Sequence, residues 1–136
     1  MQVFLDTNVF LYAAGTALPL RDACAKVLRR VAEGSLDATI NSEVIQEILY
    51  VLIRRGRRME ALKLADDLAS LFPELLAVTR DDVLSACGLL QHYPRLSVRD
   101  DIHVGTMLRN GLEIVVSVDS DFDQVSEIRR IDPGAV

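Results

Sequence analysis

Short runs that are apolar at every position, each halted by a polar turn, constrain this chain more than any other feature. Val3-Phe4-Leu5 stops at Asp6-Thr7-Asn8, and Glu113–Val118, with Ile114-Val115-Val116 at its centre, leads into Asp119-Ser120-Asp121. A strand without a polar face has to be covered on both sides. Parallel sheets meet that condition, because their crossover helices lie on the two faces. Leu36–Ile40, Leu75–Thr79 and Glu127–Ile131 are further strand candidates.

Helical spacing fills the intervals. Val9–Ala14 reads as a short helix ended near Gly15, and Pro19–Glu33 carries Ala23, Val27 and Val31 four apart, with Gly34 as a stop. Asn41 or Ser42 can cap a helix whose Val44, Ile45, Ile48, Leu49 and Leu52 form one apolar face. That helix breaks at Arg54-Arg55-Gly56-Arg57-Arg58. Another follows from Met59 to Phe72, with Leu62, Ala65, Leu68, Ala69 and Phe72 on one side and Pro73 as its stop. Asp81–Gln91 and Val98–Asn110 complete the set, with Gly111 at the C′ position of the last. Strands alternating with helices predict one α/β domain over residues 1–136, a parallel sheet between helical layers, with a helical excursion between 42 and 72.

Composition narrows the function. The net charge is −5, which argues against gripping nucleic acid over a broad basic face but not against acting on it through bound cations. Arg54, Arg55, Arg57 and Arg58 are the one basic cluster, either a solvated helix end or a contact for RNA phosphates or an acidic partner. Cys24 and Cys87 lie in apolar helical stretches, outside any CxxC or Cys/His cluster, and read as buried thiols in a reducing compartment. No apolar run approaches the length of a membrane span and the first residues do not resemble a signal peptide, so a cytoplasmic protein is expected. Phosphate-cradling GxxxxGK[ST] and GxGxxG loops are absent.

Chemistry concentrates in the acids. Ligands of open parallel sheets bind beyond the carboxyl ends of the strands. Asp6 stands at one such end, and Asp119 at another with Asp121 and Asp123 behind it. Glu47 falls at the rim of its helix's apolar arc, where a carboxylate can reach a cleft, whereas Glu43 suits the helix N-terminus. Ser97 and Asp100 have the spacing of a capping box, and Asp101 reads as a solvated first-turn acid. Each acid has a plain alternative as a cap, a turn former or a surface charge. Thr7 and Ser117 are equally open between capping and a site role, and His103 reads first as structural, with a place near the site as the alternative.

Together the acids say more. Carboxylates about 4 Å apart repel by about 4 kcal/mol per pair at an effective dielectric of 20. Convergence at one sheet edge therefore requires protonation or a cation. Lys26 and Lys63, the only lysines, stand at no strand end. Oxygen ligands without His or Cys suit Mg²⁺ or Mn²⁺ rather than zinc, and such ions support hydrolysis of a phosphodiester by polarising it and activating water.

The same residues resemble a known family. Val3–Val9 is similar to the opening strand and first acid of PIN-domain ribonucleases, and Ser42–Ile48 to the helix carrying the second acid, which maps onto Glu47. Ser97–His103 resembles the segment of the third acid, at Asp100. Ser117–Asp123 resembles the closing motif, with Asp119 as principal acid and Asp121 as auxiliary. At position 101 the family often has a small apolar residue. The length suits a VapC-type toxin. The resemblance implies a three-layer α/β/α sandwich with a central parallel sheet, and Mg²⁺- or Mn²⁺-dependent endoribonuclease activity with Asp6, Glu47, Asp100, Asp119 and Asp121 at the metal. It further implies homodimerisation and inhibition by a cognate VapB-type antitoxin. Two rival readings are a non-catalytic RNA-binding or protein-interaction module, and a phospho-acceptor receiver domain. The receiver domain is disfavoured because no acidic pair follows the first strand and no lysine follows the last ones.

Overall fold

The computed structural model describes residues 1–136. Its sheet has four parallel strands, β1 (Val3–Leu5), β2 (Ala38–Thr39), β3 (Ile114–Val116) and β4 (Arg129–Ile131), in the order β2-β1-β3-β4. All three residues of β1 and of β3 are buried, so both faces of the centre of the sheet are covered, as their unbroken apolarity requires. Leu5 stands beside Val116 in the register, which aligns the carboxyl ends of the two central strands. Asp6 and Ser117 therefore emerge side by side, although 111 residues separate them in the chain.

Six helices surround the sheet: α1 (Thr7–Ala13), α2 (Leu20–Ala32), α3 (Ser42–Arg54), α4 (Arg58–Leu71), α5 (Arg80–His92) and α6 (Val98–Arg109). The architecture is the expected three-layer α/β/α arrangement. Asn41 is the cap of α3, its side chain accepting from the Val44 amide at 3.1 Å, and Gly111 has the positive φ of 68° that a C′ position uses. Gly56, at φ 74°, reverses the chain between α3 and α4, which pack on each other as the helical excursion.

Three expectations are corrected, and the first is that Cys87 is exposed on α5 rather than buried. Leu75–Thr79 is not a strand: it makes only an isolated parallel bridge, Leu76 to Asn41, beside the very short edge strand β2. On α4 the covered face runs through Ala61 and Leu68, while Leu62 and Ala69 are exposed. The helix begins one residue earlier than its pattern suggests and is covered on one flank only, so spacing alone left its rotation undecided.

A buried polar chain ties three helices together. Asn41 donates to Thr106 Oγ1 at 3.1 Å, and Thr106 donates to Asp82 Oδ2 at 3.1 Å. Asp82 also takes Arg109 in a two-pronged pair, Nε to Oδ1 at 2.7 Å and Nη2 to Oδ2 at 3.1 Å. Burial alone would raise the Asp82 pKa, yet Arg109, the Thr79 amide and Thr106 hold it below the ordinary aspartate value. At Gly105 the helices α5 and α6 approach closely: a Cβ there would stand 2.8 Å from the Asp82 carbonyl oxygen.

Candidate metal centre

Asp6 closes β1 and caps α1, so the cap and the site are one residue. Its Oδ1 accepts from the Thr7 amide at 2.8 Å and its Oδ2 from Ser117 Oγ at 2.6 Å. Ser117 in turn accepts from Asn8 Nδ2 at 3.1 Å and from the Asp119 amide at 3.0 Å. Thr7 and Ser117 both lie against Asp6 and are buried, and Asp6 rather than Thr7 is the cap of α1. Asp6, Glu47, Asp100 and Asp119 line one cavity of about 290 Å³ together with Thr7, Asn8, Leu11 and Ser97. Four acids from β1, α3, α6 and the loop after β3 thus face a common space. Asp121 is not among the lining residues; its amide donates to Asp119 Oδ1 at 2.9 Å.

His103 is the residue that sequence reasoning undervalued. It is fully buried, lies against Phe4 with ring centroids 5.2 Å apart, and points Nε2 between Asp6 Oδ1 at 3.7 Å and Glu47 Oε1 at 3.8 Å. Three steps after Asp100 on α6, it follows the i, i+3 relation that places both on one side of the helix. A histidine thus stands among the acids, where oxygen ligands alone were expected. Asp101 is corrected too: it is fully buried rather than solvated, with neither carboxylate oxygen hydrogen-bonded.

The electrostatics are those of crowded negative charge. Burial raises the Asp6 pKa against the lowering pull of His103 and Ser117. Asp100 is pushed up to about 7 by burial and by the neighbouring charges of Asp6 and Asp119, against the pull of Ser97 and His103. Glu47 remains below the ordinary value because His103, Thr7 and Arg99 outweigh its burial. Burial would discharge His103, but Glu47, Asp6 and Asp100 raise its pKa instead. Arg99 lies 3.3 Å from Glu43 and 3.9 Å from Glu47, with its guanidinium 4.5 Å above the Tyr50 ring. Glu43 thus belongs to the rim.

These donors fit a divalent cation. Ligand atoms of Asp6, Glu47 and His103 lie within 4.8 Å of one another, and Asp100 and Asp119 add oxygens on the same cavity. A second cavity of about 390 Å³ shares Asn8 and Leu11 with the first and adds Tyr12, Arg55 and Arg57. Half of the basic cluster therefore stands beside the acids. No helix is long and apolar enough to cross a membrane.

Ribonuclease VapC23 of Mycobacterium tuberculosis is 32% identical over 117 residues, 86% of this chain and 92% of that protein. Ribonuclease VapC13 of the same species is 27% identical over 129 residues, 95% of this chain and 98% of its own. Among solved structures, the sarcin-ricin loop cleaving toxin VapC20 of Mycobacterium tuberculosis superposes with a TM-score of 0.75 at 19% identity, covering 91% of this chain and 95% of its own. VapBC2 from Rickettsia felis, bound to a promoter DNA fragment, gives 0.73 at 15% identity over 97% of this chain and 98% of its own. The PIN domain family model matches residues 3–128, which hold three of the four strands and all six helices, and this chain belongs to the PIN domain family.

Proposed function

We propose that this chain is a metal-dependent endoribonuclease that hydrolyses RNA phosphodiesters and serves as the toxin of a type II toxin–antitoxin pair. The observation that carries the reading is the convergence of Asp6, Glu47, Asp100 and Asp119 on one cavity from four separate stretches of chain. The ribonuclease names of its relatives support the reaction class. The VapBC complexes among its structural neighbours support a VapB-type antitoxin as partner.

The four acids would hold Mg²⁺ or Mn²⁺, with Asp121 steadying Asp119 from outside. The bound cation supplies Lewis-acid polarisation of the scissile phosphate and activation of water. The chain's own residues do the rest. Ser117 and the Thr7 amide fix the Asp6 carboxylate, while Asn8 and the Asp119 amide fix Ser117. Arg55 and Arg57, in the adjoining cavity, attract the RNA backbone toward the acids, so that an acidic protein still binds RNA locally. The unit is a single domain over residues 1–136. Two free thiols, Cys24 and Cys87, suit a reducing cytoplasm. Val83, Leu84 and Val98, exposed on α5 and α6, offer apolar surface for a homodimer, which sedimentation would detect.

The decisive experiment is cleavage of RNA by the full chain with added Mn²⁺ or Mg²⁺. Cleavage is expected to stop with EDTA and in Asp6→Asn. Activity that survives both would overturn the reading.

A further inference from the structure

We infer that His103 joins Asp6 and Glu47 as a nitrogen donor to the divalent cation, and that this donor makes the site prefer first-row transition-metal ions to Mg²⁺. The inference rests on the metal-dependent reading above and deepens it, since carboxylates alone were expected there.

The spacing is the first ground. Nε2 stands 3.7 Å from Asp6 Oδ1 and 3.8 Å from Glu47 Oε1. Charged hydrogen bonds close to about 2.7–3.2 Å, so the ring is seated on neither carboxylate. Metal–ligand bonds of about 2.0–2.2 Å place neighbouring donors roughly 3–4 Å apart, which is the separation seen. Burial is the second ground. The ring is fully covered, held against Phe4, and carried by a helix rather than a loop, so a nitrogen is delivered to the acids by a rigid element. Nε2 also makes a long hydrogen bond with Thr7 Oγ1, at 3.4 Å. Nδ1 is buried without a partner, so coordination through Nε2 leaves the Nδ1 N–H unsatisfied, a cost that the bond to the ion has to outweigh.

Donor chemistry sets the preference. Mg²⁺ favours hard oxygen ligands in near-ideal octahedral geometry. An imidazole among carboxylates shifts affinity toward first-row transition metals. The competing role, an imidazolium that merely balances the acids, involves no bond between nitrogen and metal.

Mn²⁺ alone, added to the full chain and examined by pulsed electron paramagnetic resonance, separates these roles. Nitrogen hyperfine coupling is expected in the wild-type chain and is expected to change when the histidine nitrogens are isotopically labelled. It should persist in His92→Gln, which alters the one other histidine, and vanish in His103→Gln. Calorimetric titration should show Mn²⁺ binding more tightly than Mg²⁺, with that preference falling roughly tenfold in His103→Gln, the scale on which single supporting groups act at metal sites. The wild-type and His92→Gln spectra decide the matter even if His103→Gln does not fold. Mn²⁺ bound without nitrogen coupling overturns the inference and leaves the metal-dependent reading standing. A wild-type chain that binds no Mn²⁺ overturns both.

Discussion

Asp101 is a buried carboxylate without a hydrogen bond, and burial pushes its pKa up to about 6 from an ordinary 3.8. The folded state thus holds this proton more tightly than the unfolded state, so stability falls as pH rises from about 4 through about 6. Above that window the ionised group costs about 3 kcal/mol, taken at 1.36 kcal/mol per pKa unit. Asp101→Asn is expected to raise Tm by several degrees at pH 8 and to match wild type near pH 4, which thermal melts across pH would check. Asp100, raised to about 7, gives a different pH dependence. It must lose its proton to serve as a ligand, so Mn²⁺ affinity should climb between pH 6 and pH 8, with proton release measurable by calorimetry in two buffers. Sequence made Asp6, Glu47, Asp100 and Asp119 legible because strand ends and helix rims are positions that periodicity can locate. Asp101 was misjudged for a physical reason: a first-turn acid is ordinarily solvated, and only the tertiary packing of α6 buries it. His103 was not placed beside Asp6 and Glu47 because a lone histidine is ordinarily structural and only that same packing brings its ring to the acids.

Among the elements, α6 is the one on which the site depends most. It carries Asp100 and His103, and it is held to α3, which carries Glu47, through Asn41 and Thr106, and to α5 through Asp82 and Arg109. Asp82→Ala removes the centre of that chain and the charged partner of Arg109, leaving Thr106 its bond to the Ile102 carbonyl and Arg109 its bond to the Ala77 carbonyl. A loss of about 2–3 kcal/mol is expected, toward the low end for a broken buried pair because Arg109 keeps contact with solvent. Gly105→Ala should cost about 1–3 kcal/mol, since its Cβ meets backbone at 2.8 Å and the two helices must part. Urea denaturation measures both losses, and both variants should weaken Mn²⁺ binding by loosening α6 against α3. A Gly105→Ala protein as stable as wild type would mean that the helices slide apart freely. The elements themselves were readable from capping residues and apolar spacing: Asn41, Ser97 and Gly111 each mark a helix end as their residue types suggest. The Leu75–Thr79 segment was not, because an extended run reads alike whether or not a neighbouring strand is long enough to pair with it.

At the scale of the whole molecule, the sheet order β2-β1-β3-β4 puts the two most buried strands at the centre and gathers their acidic ends, so the fold itself creates the electrostatic load in the cavity. On the proposed function, a protein built this way gives up stability in exchange for a cation site. Without metal, Asp100 bears that load directly, held up to about 7 by burial and by Asp6 and Asp119. Asp100→Asn removes a charge that the folded state disfavours and the unfolded state does not. The gain is present above about pH 7 and fades as pH falls toward the ordinary aspartate range, where Asp100 is itself protonated. Because this side chain keeps some contact with solvent, a gain of about 1–2 kcal/mol is expected at pH 8 in the metal-free protein. Mn²⁺ should reverse the ranking. A cation at a hundred times its dissociation constant adds about 2.7 kcal/mol to wild type, and Asp100→Asn, short of one ligand oxygen, should gain much less. Melting curves of both proteins at pH 8, with EDTA and then with Mn²⁺, would therefore cross. Should Asp100→Asn melt below wild type in EDTA, the acids would not be straining the fold, and the cation would not be needed to make their convergence tolerable.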